Sequence, residues 1–159
     1  MALIVYQCSS KPQHVEITPE ISVDIPRRFE VIVNEPEEYL KTWATSTPDD
    51  DLFIVYRYII DEQDSLSRDD EINAFKNNID DFIRDFGYQT IDSTFTFKED
   101  FLQSDLNFDF TNNRNKFRFF GRFVLHEQYF IAFCFQSPHP VDRFSTNVKD
   151  KIFTTIHIN

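Results

Sequence analysis

Glycine is nearly missing from this chain: Gly87 and Gly121 are the only two among 159 residues. Phosphate-cradling loops and dinucleotide-binding turns need several glycines so that backbone amides can approach the phosphate, which leaves almost no room for those functions. Cysteine is equally scarce, with Cys8 near the start and Cys134 deep in the chain. Two such distant thiols imply no disulfide framework. Cys134, inside an apolar run, is expected to act as a small hydrophobe. Positive charge is short as well, 16 Lys and Arg against 27 Asp and Glu, for a formal net charge of −11. Nucleic acid is therefore not an expected partner, because its phosphates would be repelled instead of neutralised. An anionic bilayer is disfavoured for the same reason. No segment approaches the roughly 20 consecutive apolar residues that span a bilayer.

Catalytic patterns are lacking too. His14, His126, His139 and His157 stand far apart, with no ligand spacing of the H-x-x-x-H kind, so no metal ligand is expected. His126 is read at a hairpin tip and His139 between prolines, both as exposed rings without a special role. With 27 acidic residues, chance carboxylate pairs are unavoidable and carry no signal. Asp49-Asp50-Asp51 reads as a solvated loop. Asp105, Asn107 and Asp109 imitate the start of a calcium loop, but Phe110 and Lys116 stand where that loop needs glycine and glutamate. No catalytic residue, metal or cofactor is expected, and the chain is read as a non-enzyme.

Aromatic residues are what the sequence does have: 19 Phe and 6 Tyr, in a chain that is 41% apolar. That suffices for one ordinary core, so a single domain is expected. Its richest stretch is Phe117–Gln136, which reads as two strands joined at Leu125-His126-Glu127-Gln128 and sheltered on both faces.

The remaining elements follow from local patterns. Val23 and Ile25 alternate with polar neighbours, Pro26-Arg27-Arg28 breaks the run, and Phe29, Val31 and Val33 alternate again. Asn34–Asp51 reads as a loop or short helix with Tyr39, Leu40 and Trp43 turned inward, and Leu52–Ile60 as a strand. Ser67 is a suitable N-cap for a helix whose stripe is Ile72, Phe75, Ile79, Phe82, Ile83 and Phe86, closed by Gly87. Ile91–Phe97 reads as a strand with Ser93, Phe95 and Phe97 on one side. Leu106, Phe108 and Phe110 alternate with the polar series at 105, 107 and 109, a half-buried strand. Gly121 suggests a bulge or a close backbone approach. Val141, Phe144, Val148 and Ile152 mark a second helix, and Phe153–Ile158 a closing strand. The expected fold is α+β: a largely antiparallel sheet of about six to eight strands covered by two main helices.

The order of these elements resembles the PsbP/Mog-like fold, whose members include bacterial lipoproteins and adaptor proteins of the DcrB-related group. The likeness rests on the opening SVDIPRRFEV, the amphipathic helix Asp69–Phe86, and the aromatic strand from Tyr129 followed by Ser137-Pro138. The helix with Phe144 and Val148 and the ending Ile152-Phe153-Thr154-Thr155-Ile156 complete it. It covers about Ile21–Ile158. The resemblance implies a binding or assembly protein rather than a catalyst.

Residues 1–20 are read as an N-terminal tether or truncated lipoprotein signal and 21–159 as the PsbP/Mog-like domain. MALIVYQ running into Cys8-Ser9-Ser10-Lys11-Pro12 looks like the end of a bacterial lipoprotein signal with Cys8 as the lipid-attachment residue; the other reading is an ordinary N-terminal strand. Two functions follow. The first is a non-catalytic binding or assembly protein of the bacterial cell envelope, with an unknown protein partner and a membrane contact only through lipid on Cys8. The second is a cytoplasmic adaptor or chaperone holding apolar segments of a partner. A ligand or partner surface is expected to use Phe117, Phe119, Phe123, Tyr129, Ile131 and Phe133, with Phe135 beside them.

Overall fold

The computed structural model describes residues 11–26, 29–47, 50–60, 67–84, 92–97 and 100–159, the side chains of Asp92, Ser93, Phe95 and Phe97 excepted. In chain order the elements are β1 (Gln13–Glu16), β2 (Ile21–Ile25), β3 (Ile32–Glu37), β4 (Leu40–Ser46), β5 (Leu52–Ile59) and α1 (Arg68–Ile83). Then come β6 (Asp92–Phe97), β7 (Leu102–Asn112), β8 (Asn115–His126), β9 (Tyr129–Pro138), α2 (Arg143–Phe153) and β10 (His157–Ile158). Seven strands form one antiparallel sheet in the order β3-β4-β5-β9-β8-β7-β6, and a small sheet has the order β1-β2-β10. The expected α+β fold with a largely antiparallel sheet and two helices is therefore present, with the aromatic β8–β9 hairpin inside the sheet.

Register decides which side chain goes where. The hairpin turn is the pair Glu127-Gln128, and His126 pairs with Tyr129 across it. Every odd-numbered residue of β8 then stands opposite an even-numbered residue of β9, as in Phe119↔Gln136 and Phe123↔Ala132. Because alternate residues point to opposite faces, one face carries Phe119 and Phe123 with Phe130, Ala132 and Cys134. The other face carries Val124 with Ile131, Phe133 and Phe135.

Each face has its own cover. Helix α1 lays Phe75, Ile79 and Ile83 on the first face, against Leu102, Phe108, Phe119 and Phe130. Ser67 caps it as its sequence suggests: the Ser67 Oγ accepts from the amide of Asp70 at 3.3 Å. Asp69, Asp70 and Glu71 occupy the first turn, where negative charge suits the helix dipole. The proposed closing residues Phe86 and Gly87 lie outside the described residues, as do the side-chain directions expected for Ser93, Phe95 and Phe97. Burial beneath this helix pushes the Tyr56 hydroxyl up to about 12. The second face is covered by the small sheet and by α2, which brings Val148 and Ile152 to a core shared with Ile21, Val23, Val55 and Phe135. Asp142 caps α2, accepting from the amide of Ser145 at 2.7 Å.

Several expectations change. Asn34–Asp51 is not a loop or helix but mostly two strands, the end of β3 and β4. Pro36 signalled a loop, yet an edge strand tolerates proline because its outer amides need no ladder partner, and the register shifts between Asn34 and Glu37. Trp43 is buried as expected. Tyr39 points to solvent. Asp51 is buried, not solvated; its carboxylate accepts from the Thr47 hydroxyl at 3.1 Å and its amide donates back to that oxygen at 3.2 Å. β1 pairs with β2 and buries Val15, so folded structure begins by Gln13, inside the stretch read as a tether. The closing strand is shorter than expected, because α2 runs on to Phe153. Gly121 is neither a bulge nor a close backbone approach: pairing is continuous through it on both sides, and the space its missing side chain leaves is taken by the Phe119 and Phe123 rings.

Cys134 is fully buried, and burial pushes its thiol well above the ordinary value. A neutral, inaccessible thiol does not react. Native protein treated with a disulfide-exchange reagent is expected to leave Cys134 unlabelled, with labelling appearing only as denaturant unfolds the domain. Fast labelling of Cys134 under native conditions would contradict its placement.

Candidate functional site

The residues expected to form one ligand surface do not share a face. Phe117, Phe119 and Phe123 belong to the α1 side, while Tyr129, Ile131, Phe133 and Phe135 belong to the small-sheet side. The two-residue turn forces this split: odd positions on β8 and odd positions on β9 point opposite ways. Nor are most of these side chains at the surface. Phe119, Phe123, Ile131, Phe133 and Phe135 are fully buried, and only Phe117 and Tyr129 are partly open. Phe108 stacks on Phe119 with centroids 4.6 Å apart, and Phe110 on Phe117 at 5.4 Å. The rings therefore fill two cores and line no common pocket. Cys8 lies outside the described residues.

Two other surfaces stand out. Beside α2, an open groove of about 660 Å³ is floored by Asp105, Asn107, Phe120 and Arg122 and walled by Lys149 and Phe153. It exists because β7 carries the polar series Asp105, Asn107 and Asp109 on the face away from α1. Its charges are already matched. Arg122 donates from Nε and Nη2 to the two carboxylate oxygens of Asp105, each at 2.8 Å, and from Nη1 to the Phe153 carbonyl at 3.2 Å. Arg118 forms a similar fork with Asp109. Lys149 sits 2.8 Å from Asp150 and 4.5 Å above the Phe120 ring. Such bidentate pairs fix the sheet face and leave these cations little to offer an anionic ligand.

The second surface, the β3–β5 corner, runs along β3 from Ile32 to the β3–β4 turn and the end of β5. Large apolar side chains exposed among the described residues are all here: Ile32 at 57%, Val33 at 49%, Tyr39 at 51% and Ile59 at 38%. Among the described residues β3 is the outermost strand on this side of the sheet, so one row of its backbone groups has no strand partner there. An open hollow of about 410 Å³ beside the start of β3, at the end away from Tyr39 and Ile59, is lined by Phe29, Ile32, Ala44, Thr45 and Leu52. Polar groups rim the corner. Lys41 pairs with Glu35 and holds that carboxyl below its usual range, and the Glu37 carboxylate bonded to the Tyr39 hydroxyl pushes that hydroxyl up. Arg57 lies against Trp43 and Tyr129, its guanidinium carbon 5.8 and 5.5 Å from the ring centroids, and donates to the Ile17 carbonyl at 3.2 Å. In the sequence this corner was hidden, because its apolar residues flank a proline and acidic residues.

The histidines divide. His14 and, as expected, His139 are exposed and lie 2.8 and 3.7 Å from Asp24 and Asp109. His126, expected exposed at a hairpin tip, is instead 6% exposed, and its Nδ1 has no hydrogen-bond partner. The strand continues through His126 and the turn begins one residue later, which carries the ring under the small sheet.

This combination of a seven-stranded antiparallel sheet, one helix on one face, and a helix with a small sheet on the other is the Mog-like fold. The yeast Ran-binding protein Mog1p from Saccharomyces cerevisiae superposes with a TM-score of 0.56 over 94% of this chain and 96% of its own, at 9% identity. A mutant of Mog1 gives 0.55 over 93% and 96%, also at 9% identity. No protein-family model and no curated protein matches the sequence. Identity this low carries the fold alone.

Proposed function

We propose that this chain is a non-catalytic protein that binds a protein partner at the β3–β5 corner. The observation that carries the proposal is that the large exposed apolar side chains among the described residues lie along this side of the sheet, Ile32 and Val33 on the outer strand β3 and Tyr39 and Ile59 beyond its other end, and that the outer side of β3 has no strand partner among the described residues. An extended segment of a partner can add to such an edge, main-chain hydrogen bonds giving affinity and the flanking apolar side chains giving selectivity. Charged neighbours such as Lys41 and Glu35 keep the edge from self-association in the partner's absence. The name of Mog1p as a Ran-binding protein supports a protein partner for this fold.

The test is site-specific photocrosslinking in native cells. Probes at Ile32 and Tyr39 are expected to trap the same protein, and a probe at Asn73 on the outer face of α1 is expected to trap none. Adducts at Asn73 with none at Ile32 and Tyr39 would move the binding surface elsewhere and end this reading.

For the setting, we propose the bacterial cell envelope, with lipid on Cys8 as the anchor. The first described strand begins at Gln13, and the five residue steps from Cys8 to it can span at most about 17 Å. Intact mass measurement on the native protein decides it. A diacylglyceryl mass on Cys8 with residues 1–7 removed supports the anchor, and an unmodified Cys8 behind Met1 transfers the same binding corner to a cytoplasmic adaptor for apolar segments.

A further inference from the structure

We propose that Glu20, His126 and Glu127 form a binding site for a first-row divalent metal ion of the zinc class, clipping the small sheet to the β8–β9 turn. The fold brings these three together from distant parts of the sequence. One ligand atom from each lies within 4.8 Å of the others. Ligand atoms of a tetrahedral zinc ion, each about 2.1 Å from the metal, stand about 3.4 Å apart. Glu127 is exposed and Glu20 half-buried, so rotation of two glutamate side chains closes that gap with the backbone in place.

His126 is the independent sign of a ligand. An imidazole more than nine-tenths buried, with Nδ1 lacking any partner, is costly to leave in that state. A metal ion bound at Nδ1 gives that atom its partner. Chain geometry explains why the ring is there. His126 is even-numbered on β8, so it points to the same face as Val124, toward the small sheet.

The carboxylates are presented by anchored backbone. The amides of Glu20 and Ile21 donate to the Thr18 hydroxyl at 3.3 and 3.1 Å, and the amide of Asn159 donates to the Glu20 carbonyl at 3.0 Å. Glu127 occupies the turn with φ 51°, and the neighbouring Gln128 carbonyl accepts from the amide of Ile60 at 2.9 Å. Two carboxylates neutralise a divalent charge. The imidazole favours zinc, cobalt, nickel or copper over magnesium and calcium. Three protein ligands leave at least one position for water. The site lies near the end of β5 but uses none of the residues of the proposed partner surface, and it does not depend on the partner reading.

Metal-free full-length protein titrated calorimetrically with zinc chloride tests the assignment, with cobalt absorption as a second readout. One equivalent is expected to bind, and zinc is expected to raise the thermal midpoint. Glu127→Gln and Glu20→Gln, which leave the core intact, are each expected to weaken binding by more than about 100-fold, the upper end of what loss of an outer-shell partner costs. His126→Gln is expected to abolish it. Zinc binding of unchanged strength in both glutamate variants would assign the ion to His14–Asp24 or His139–Asp109 and overturn the proposal. Failure of the parent protein to bind one equivalent would overturn it as well.

Discussion

Gly121→Val is expected to destabilise the domain by about 3 kcal/mol, the upper part of the range for overpacking a core, and to lower its thermal midpoint by roughly 9 °C. Gly121 sits in the middle of β8 between Leu106 and Cys134, with normal pairing on both sides. Backbone freedom is not what the position needs. Space is. A Cβ added there would lie 2.5 Å from Phe119 Cε1 and 2.8 Å from Phe123 Cε2, distances no real contact tolerates. Both rings are fully buried and cannot swing into solvent. Phe119 is stacked on Phe108 at 4.6 Å, and Phe123 meets Phe82 edge-on at 5.5 Å. Removing a glycine lowers the entropy of the unfolded chain, a gain of about 0.7 kcal/mol that is too small to offset the clash. Thermal and urea unfolding of Gly121→Ala and Gly121→Val measure the effect. Adding Phe119→Leu to Gly121→Ala should recover part of the loss, because it frees the space the new methyl group needs. A midpoint that rises in Gly121→Ala would show that the rings yield.

Phe75→Ala is expected to cost about 4 kcal/mol, within the range for deleting a buried phenylalanine. Phe75 is the centre of the contact between α1 and the sheet, fully buried with its ring 6.1 Å from Phe130 in an edge-on arrangement. The outward face of the helix is polar, so its hold is the buried stripe Phe75, Ile79 and Ile83 with Ile72 and Phe82 packed beside it, Phe82 meeting Tyr56 edge-on at 5.2 Å. Asn73→Ala on the exposed side of the same helix is the control and should move stability by less than about 0.5 kcal/mol. Urea unfolding followed by fluorescence and circular dichroism would compare the two. Equal effects from Phe75→Ala and Asn73→Ala would mean that α1 does not rest on the sheet as described.

The parts legible in the sequence were those written in local chemistry. Ser67 followed by three acidic residues and an apolar stripe can only start an amphipathic helix. The density of aromatic residues around Phe123 and Phe133 placed those strands inside the sheet. What stayed hidden was settled by register and tertiary approach. Phe119 and Phe133 look alike in sequence, and only the length of the turn at Glu127-Gln128 puts them on opposite faces. Pro36 misdirected the reading of β3, since a proline says nothing about whether a strand lies at an edge or a loop takes its place. His126 looked like an exposed tip residue because its strand was ended one step too early. Glu20 carried no signal that it would meet that ring, as nothing local encodes a contact between a β1–β2 loop and a hairpin more than a hundred residues later.

The small sheet also has a consequence for how the molecule is made. Its middle strand, β2, is flanked by β1 from the beginning of the chain and by β10 near residue 158. Thr155 reinforces the closure, its hydroxyl donating to the Asp24 carbonyl at 3.0 Å and accepting from the Asp24 amide at 3.1 Å. During synthesis, hairpins such as β7–β8 can zip as they leave the ribosome, whereas β2 must wait for the last elements before its free edge is sealed. Until then the face bearing Val55, Phe133 and Phe135 lacks α2, and Ile21 and Val23 lack part of their shelter. A half-made chain is thus a sticky one, since unpaired edges and bare apolar faces are what nascent proteins aggregate through. The interval between emergence of β9 and emergence of β10 is when a ribosome-associated chaperone has most to protect.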